Sequence, residues 1–111
     1  MTTRLCVLLF ALSACFLFEK EVRLEAPDDA PVAIRADCAL AERRCTRCHT
    51  IDRILSARVV SPAHWQAYVH RMRLQPQSGI PADEESPILQ CLVYRSFGSG
   101  GLAQLPQAGT P

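Results

Sequence analysis

The 111-residue chain lacks the features that usually mark an enzyme or a nucleic-acid-binding protein. Its formal net charge is only +1, so the chain as a whole has no basic field to attract nucleic acid. No alternating apolar and polar run predicts a β-strand. The sequence contains no nucleotide-binding loop, no paired-carboxylate motif and no Ser-His-Asp arrangement. These absences favour one small helical domain that is not an enzyme.

The sequence also lacks an apolar run that is long enough for a full membrane span. Its longest run, residues 5–18, has 14 residues, whereas a spanning helix needs about 20. This run follows a single arginine and is typical of an export signal. Residues 12–15 read L-S-A-C and resemble the lipobox of bacterial lipoproteins, in which Cys15 is acylated after cleavage. An uncleaved anchor and simple secretion are the alternatives, and all three deliver the chain to the periplasmic side of a bacterial membrane.

Cysteine, by contrast, is abundant, with six residues in a short chain. This number indicates an oxidising compartment or cysteine chemistry. Residues 45–49 read C-T-R-C-H, and C-x-x-C-H is the attachment signature of c-type haem. The two cysteines form thioether bonds to the porphyrin, and the histidine binds the iron. We therefore expect one covalent haem c on Cys45 and Cys48, with His49 as an axial ligand.

Two other interpretations of this motif compete with haem. A thioredoxin-like redox pair also uses C-x-x-C, but it needs a preceding strand and a βαβ unit that this sequence does not predict. A structural zinc site needs a second ligand pair at short spacing, and Cys91 stands alone far downstream. Both interpretations are therefore weaker than haem attachment.

Composition divides the chain into four segments. Residues 1–14 are expected to be a signal peptide or a membrane anchor. Residues 15–31, which become charged and proline-containing, are expected to form a tether. Residues 32–97 are expected to be the haem domain, and the uncharged residues 98–111 a disordered tail.

Three helices are predicted within the haem domain, at about residues 32–44, 61–74 and 82–96. Each helix carries apolar residues at helical spacing, which places them on one face. The three predicted faces are Ile34, Cys38, Ala41 and Cys45; Trp65, Tyr68, Val69 and Met72; and Ile88, Cys91 and Leu92. Pro87 predicts a kink, or a helix that begins near Ser86. So small a core needs a supplement, which a haem would supply.

The second axial ligand has three candidates, which are Met72, His64 and His70. Met72 shares a stripe with Trp65 and Val69. Around the helix, His64 is displaced from Met72 by about 80° and His70 by about 160°. Helical geometry therefore favours Met72, which would give His/Met ligation of the iron.

The motifs together resemble short bacterial monohaem c-type cytochromes. The resemblance rests on C-T-R-C-H-T-I-D-R-I, S-P-A-H-W-Q-A-Y-V-H-R-M and I-P-A-D-E-E-S-P-I-L-Q-C-L, in that order. It implies an all-α bundle of about three helices with crossing terminal helices, and Cys45, Cys48, His49 and Met72 as haem-binding residues. If the terminal helices cross as in this family, Cys38 and Cys91 face one interface and can form a disulfide.

The resemblance implies a periplasmic carrier of single electrons. Five arginines form either a basic rim that would attract acidic surfaces of redox partner proteins or an ordinary solvated face with scattered charge: Arg43, Arg44, Arg47, Arg71 and Arg73. The alternatives are a haem-based sensor or ligand-binding domain and a haem subunit docked permanently in a larger redox complex.

Overall fold

The computed structural model describes residues 21–106, which form helices joined by short turns and loops. The α-helices are α1 (Val32–Cys45), α2 (Ile51–Leu55), α3 (Pro62–Arg73) and α4 (Glu85–Leu102), and a 3-10 helix at Ala82–Glu84 precedes α4. Residues 21–106 contain no β-strand. The prediction of an all-α fold is therefore confirmed for residues 21–106, although the three predicted helices omitted α2. None of the helices in this part of the chain is long and apolar enough to cross a membrane.

Helix α1 carries the predicted apolar face. It begins directly after Pro31 and ends one residue later than expected, at Cys45. Its buried residues are Ile34, Cys38, Ala41 and Cys45. The spacing of four, three and four residues thus identified the buried side of this helix.

Helix α3 begins where its cap predicts. The Oγ of Ser61 accepts a hydrogen bond from the backbone N–H of His64 at 3.2 Å. Pro62 occupies the first helical position, where its missing N–H costs nothing. Trp65 and Val69 are buried on the predicted face, and Tyr68 and Met72 are half-buried.

Helix α4 is the central element, because α1 and α3 both pack against it. It begins at Glu85, so Pro87 lies in the first turn, where backbone N–H groups lack intrahelical acceptors. Ile88, Cys91 and Leu92 are buried, as the sequence predicted. A helix start near residue 86 thus accommodates the proline.

A disulfide links α1 to α4. The Sγ atoms of Cys38 and Cys91 are bonded, and the two Cα atoms are 4.9 Å apart. Both residues are buried, with 1% and 0% of their surface exposed. This is the pair that the resemblance implied.

The domain begins earlier in the chain than predicted. Leu24 is only 2% exposed, and its backbone N–H donates to Oε2 of Glu42 at 2.6 Å. Ala30 is also buried. The assignment of residues 21–31 to a tether is therefore wrong, because one leucine in a charged stretch binds the core. The signal, Cys15 and residues 15–20 lie outside the described residues.

The domain also ends later than predicted. Gly98 has a positive φ of 66°, and helical structure resumes after it as far as Leu102. Leu102 and Leu105 pack against the core. The prediction of disorder is therefore wrong for residues 98–106, since Gly98 serves as a bend within α4 rather than as a point where folding stops. Residues 107–111 lie outside the described residues.

Candidate functional site

The C-x-x-C-H motif lies at the C-terminal end of α1. Cys45 is the last residue of that helix, and the next three residues form a turn. The hydroxyl of Thr46 donates to the carbonyl oxygen of Glu42 at 2.7 Å. The N–H of Cys48 lies 3.5 Å from the carbonyl oxygen of Cys45. These bonds close the turn and carry the chain through His49 to the start of α2.

The two cysteines of the motif are free thiols with different surroundings. Cys45 is buried against the core and Cys48 is exposed. The two other cysteines within residues 21–106 are paired with each other in the disulfide. The structure thus leaves free the two thiols that the motif requires.

The surroundings of Cys45 favour the neutral thiol over the thiolate. Burial, together with the nearby Cys48, raises the pKa of Cys45 to about 11. Cys45 also ends α1, and the negative end of a helix dipole disfavours a thiolate. Catalytic thioredoxin-like cysteines have a lowered pKa, as cysteines at helix N-termini do. The thioredoxin-like interpretation is therefore unsupported by this geometry.

The imidazole of His49 has a buried ring nitrogen. This Nδ1 atom has no hydrogen-bond partner within residues 21–106. A buried polar group in that state costs about 1–3 kcal/mol, and a bond to a metal would relieve the cost. With two free thiols beside it, His49 belongs to a donor set that fits a covalently attached haem.

Potential zinc ligands are not grouped within residues 21–106. No group of three or more His, Cys, Asp or Glu side chains within residues 21–106 is arranged to hold a metal ion. Structural zinc usually takes four such ligands.

The candidates for the second axial position differ in what they contact. The ring of His64 stacks on that of Tyr68, with centroids 4.7 Å apart. Nδ1 of His70 lies 2.9 Å from Oε1 of Glu85. Met72 is half-buried and is not among the buried core residues or the partly buried apolar residues that pack against them. Both histidines thus have partners elsewhere, whereas Met72 is not a core-filling residue.

Within residues 21–106, two of the five arginines of the predicted basic rim form ion pairs with glutamates, and the other three do not. The guanidinium of Arg44 donates to both carboxylate oxygens of Glu84, at 2.5 and 2.7 Å. Arg73 is similarly paired with Glu85. These pairings were missed at the sequence level, although the acidic run at residues 83–85 supplied a signal. The remaining members of the rim are exposed: Arg43, Arg47 and Arg71.

Comparison with known proteins assigns neither a family nor a fold relative. The chain matches no protein-family model, and no curated protein sequence or solved structure matches it significantly. The functional assignment therefore rests on the residues and contacts described above.

Proposed function

We propose that this chain is a single-electron carrier that holds one haem c through Cys45, Cys48 and His49. The observation that carries the proposal is the state of these three side chains. Two thiols of a C-x-x-C-H motif are free, although the other two described cysteines are bonded. A buried nitrogen of the adjacent imidazole lacks a hydrogen-bond partner in the described part of the chain. This donor set fits the two thioether bonds and the iron ligand of a c-type haem.

The exposure of the two cysteines suggests how an electron would leave. Cys45 would hold one side of the attachment against the core, where it is 8% exposed. Cys48 would hold the other side at the surface. When bound, haem iron accepts and donates one electron. Because Cys48 lies at the surface, a partner protein could approach the edge of the haem that is attached to it.

Met72 is the proposed second axial ligand. It is half-buried on the face of α3 that also carries the buried Val69 and Trp65. The partners of His64 and His70 support the choice of methionine over histidine. His/Met ligation raises the reduction potential relative to two histidines, which suits an oxidising compartment.

The proposed location is the periplasmic side of a bacterial membrane, and the proposed partners are acidic redox proteins. An N-terminal lipid on Cys15 or an anchor would hold the chain at the membrane. Arg43, Arg47 and Arg71 are exposed and have no ion pair within residues 21–106. Exposed charges of one sign steer a partner of the opposite sign.

The first test is haem attachment. The full chain is produced in a bacterial host together with haem-attachment machinery, and intact mass and haem-dependent absorbance are measured after denaturation. We expect one haem to remain bound in the wild type, and Cys45→Ala or Cys48→Ala to leave a single thioether. A wild-type chain without covalent haem would contradict the proposal.

The second test concerns the axial ligand and function. We expect the sulfur-to-iron band of the oxidised protein to disappear in Met72→Ala and to persist in His70→Gln, the matched control on the same helix. An unchanged Met72→Ala spectrum would place the ligand elsewhere. Carbon monoxide binding by the reduced wild type would favour a sensor over a carrier.

A further inference from the structure

Arg95 on α4 is a partly desolvated cation without a close partner. Its side chain is half-buried, and it makes no hydrogen bond or ion pair with any residue in the range 21–106. Burial lowers the pKa of Arg95, and the charge of Glu25 acts in the opposite direction. A guanidinium has five N–H donors in a fixed fork, and this one has no acceptor within the described chain. It is therefore prepared to bind an anion.

The guanidinium lines a small cleft that contains a second donor. The cleft has a volume of about 140 Å³, and its walls include Arg95, Ser96, Trp65 and Ile54. The indole Nε1 of Trp65 donates to Oγ of Ser96 at 2.9 Å. Since that oxygen is already an acceptor, the hydroxyl proton of Ser96 is left to donate. An arginine fork beside a hydroxyl matches a planar carboxylate.

The only described acidic group that acts on Arg95 does not fill the cleft. Glu25 is exposed and influences Arg95 electrostatically, but the two side chains form no ion pair. The cleft volume of about 140 Å³ suits a carboxylate group and is well below the roughly 300 Å³ of pockets for larger ligands. The expected occupant is therefore a carboxylate from outside the described chain.

The cleft lies beside the helix that follows the proposed iron ligand. Ile54 and Leu55 line it, and their helix α2 begins two residues after His49. A haem carries two propionate carboxylates on its edge. We infer that this cleft binds a carboxylate through Arg95 and Ser96, and that a haem propionate occupies it in the haem-loaded protein. The identity of the occupant rests on the proposed function.

Reduction potentials of the haem-loaded full chain test this inference. Without Arg95 the propionate charge is uncompensated and stabilises the more positive ferric iron, so Arg95→Gln should lower the potential and Arg95→Lys should restore most of it. Arg53→Gln is the matched control, because Arg53 is an exposed arginine on α2. Equal effects of Arg95→Gln and Arg53→Gln, or no effect of Arg95→Gln, would overturn the assignment.

Sodium acetate distinguishes the two sources of the carboxylate. A propionate in the cleft should leave the wild-type potential insensitive to acetate, relative to chloride at the same ionic strength. A shift with acetate that disappears in Arg95→Gln would assign the cleft to a free carboxylate.

If the wild type carries no haem, the proposed function fails while the cleft can still be tested. Trp65 is the only tryptophan of the chain, so a single indole N–H signal reports on acetate binding by NMR. A signal unmoved by acetate in that haem-free chain would overturn the carboxylate site itself.

Discussion

Removing the disulfide between Cys38 and Cys91 should weaken the domain more than an ordinary core substitution. The bond closes a loop over a sequence separation of 53 residues. The chain-entropy relation gives about 4 kcal/mol of stabilisation for a loop of this size. A haem attached to Cys45 and Cys48 would not link residue 38 to residue 91, so it would not replace the constraint that the disulfide places on this loop. For a domain of this size, such a loss lowers Tm by roughly 15–30 °C.

Urea unfolding of the haem-loaded protein, followed by circular dichroism, measures this effect. We expect Cys38→Ala/Cys91→Ala to lose about 4 kcal/mol, and its m-value to rise because the unfolded chain is no longer cross-linked. The matched control is Val93→Ala, a fully buried position on α4, which creates a cavity without changing the cross-link. A loss below about 1 kcal/mol with an unchanged m-value would refute the loop-closure reasoning.

Three further predictions concern single sites. Gly79 has a φ of 65° and lies against Arg47, so Gly79→Ala should lower the free energy of unfolding in urea by about 1–2 kcal/mol. The control is Gly100→Ala, whose added methyl group meets open space and should stabilise α4 by up to about 1 kcal/mol. The hydrogen bond from Arg44 lowers the pKa of the Glu84 carboxyl group. The stability that this carboxylate contributes is therefore present above its unfolded-state pKa, and it is lost as the pH falls through its folded-state pKa. The stability difference between wild type and Glu84→Gln in acid titration should therefore close at low pH, and a constant difference would contradict this assignment. Burial raises the pKa of Cys45 to about 11, whereas Cys48 is exposed. In the haem-free chain at pH 8, iodoacetamide should therefore modify Cys48 before Cys45. Equal modification of the two cysteines, measured by mass spectrometry, would show that Cys45 is accessible.

The sequence was most informative where periodicity and capping act together. The buried face of α1 and the start of α3 at Ser61 follow from local spacing and a local hydrogen bond, so no tertiary information was needed. The domain limits failed because they depend on single long-range contacts. Leu24 docks onto Glu42 from 18 residues away, and composition alone cannot reveal such a contact. Gly98 predicts disorder by composition, whereas its positive φ marks a kink between two ordered helical segments.

The candidate site was predictable only as far as its motif. The spacing of Cys45, Cys48 and His49 is a property of the sequence, but their different exposure is decided by how α1 packs on its neighbours. The pairing of Arg44 with Glu84 joins residues 40 positions apart. The position of Arg95 beside Trp65 and Ser96 likewise required α3 and α4 to be placed together.

The docking of Leu24 onto the core shortens the length of chain between the proposed lipid site at Cys15 and the folded domain. With the chain fixed to the domain at Leu24, residues 15–23 separate Cys15 from the docked point, and a fully extended chain of that length spans about 30 Å. If Cys15 carries the proposed lipid, the domain stays within one protein diameter of the bilayer. If the domain is also the proposed electron carrier, its exchange with a partner would be a lateral encounter in two dimensions, and the rate would depend on the density of partners in the same membrane rather than on their concentration in solution.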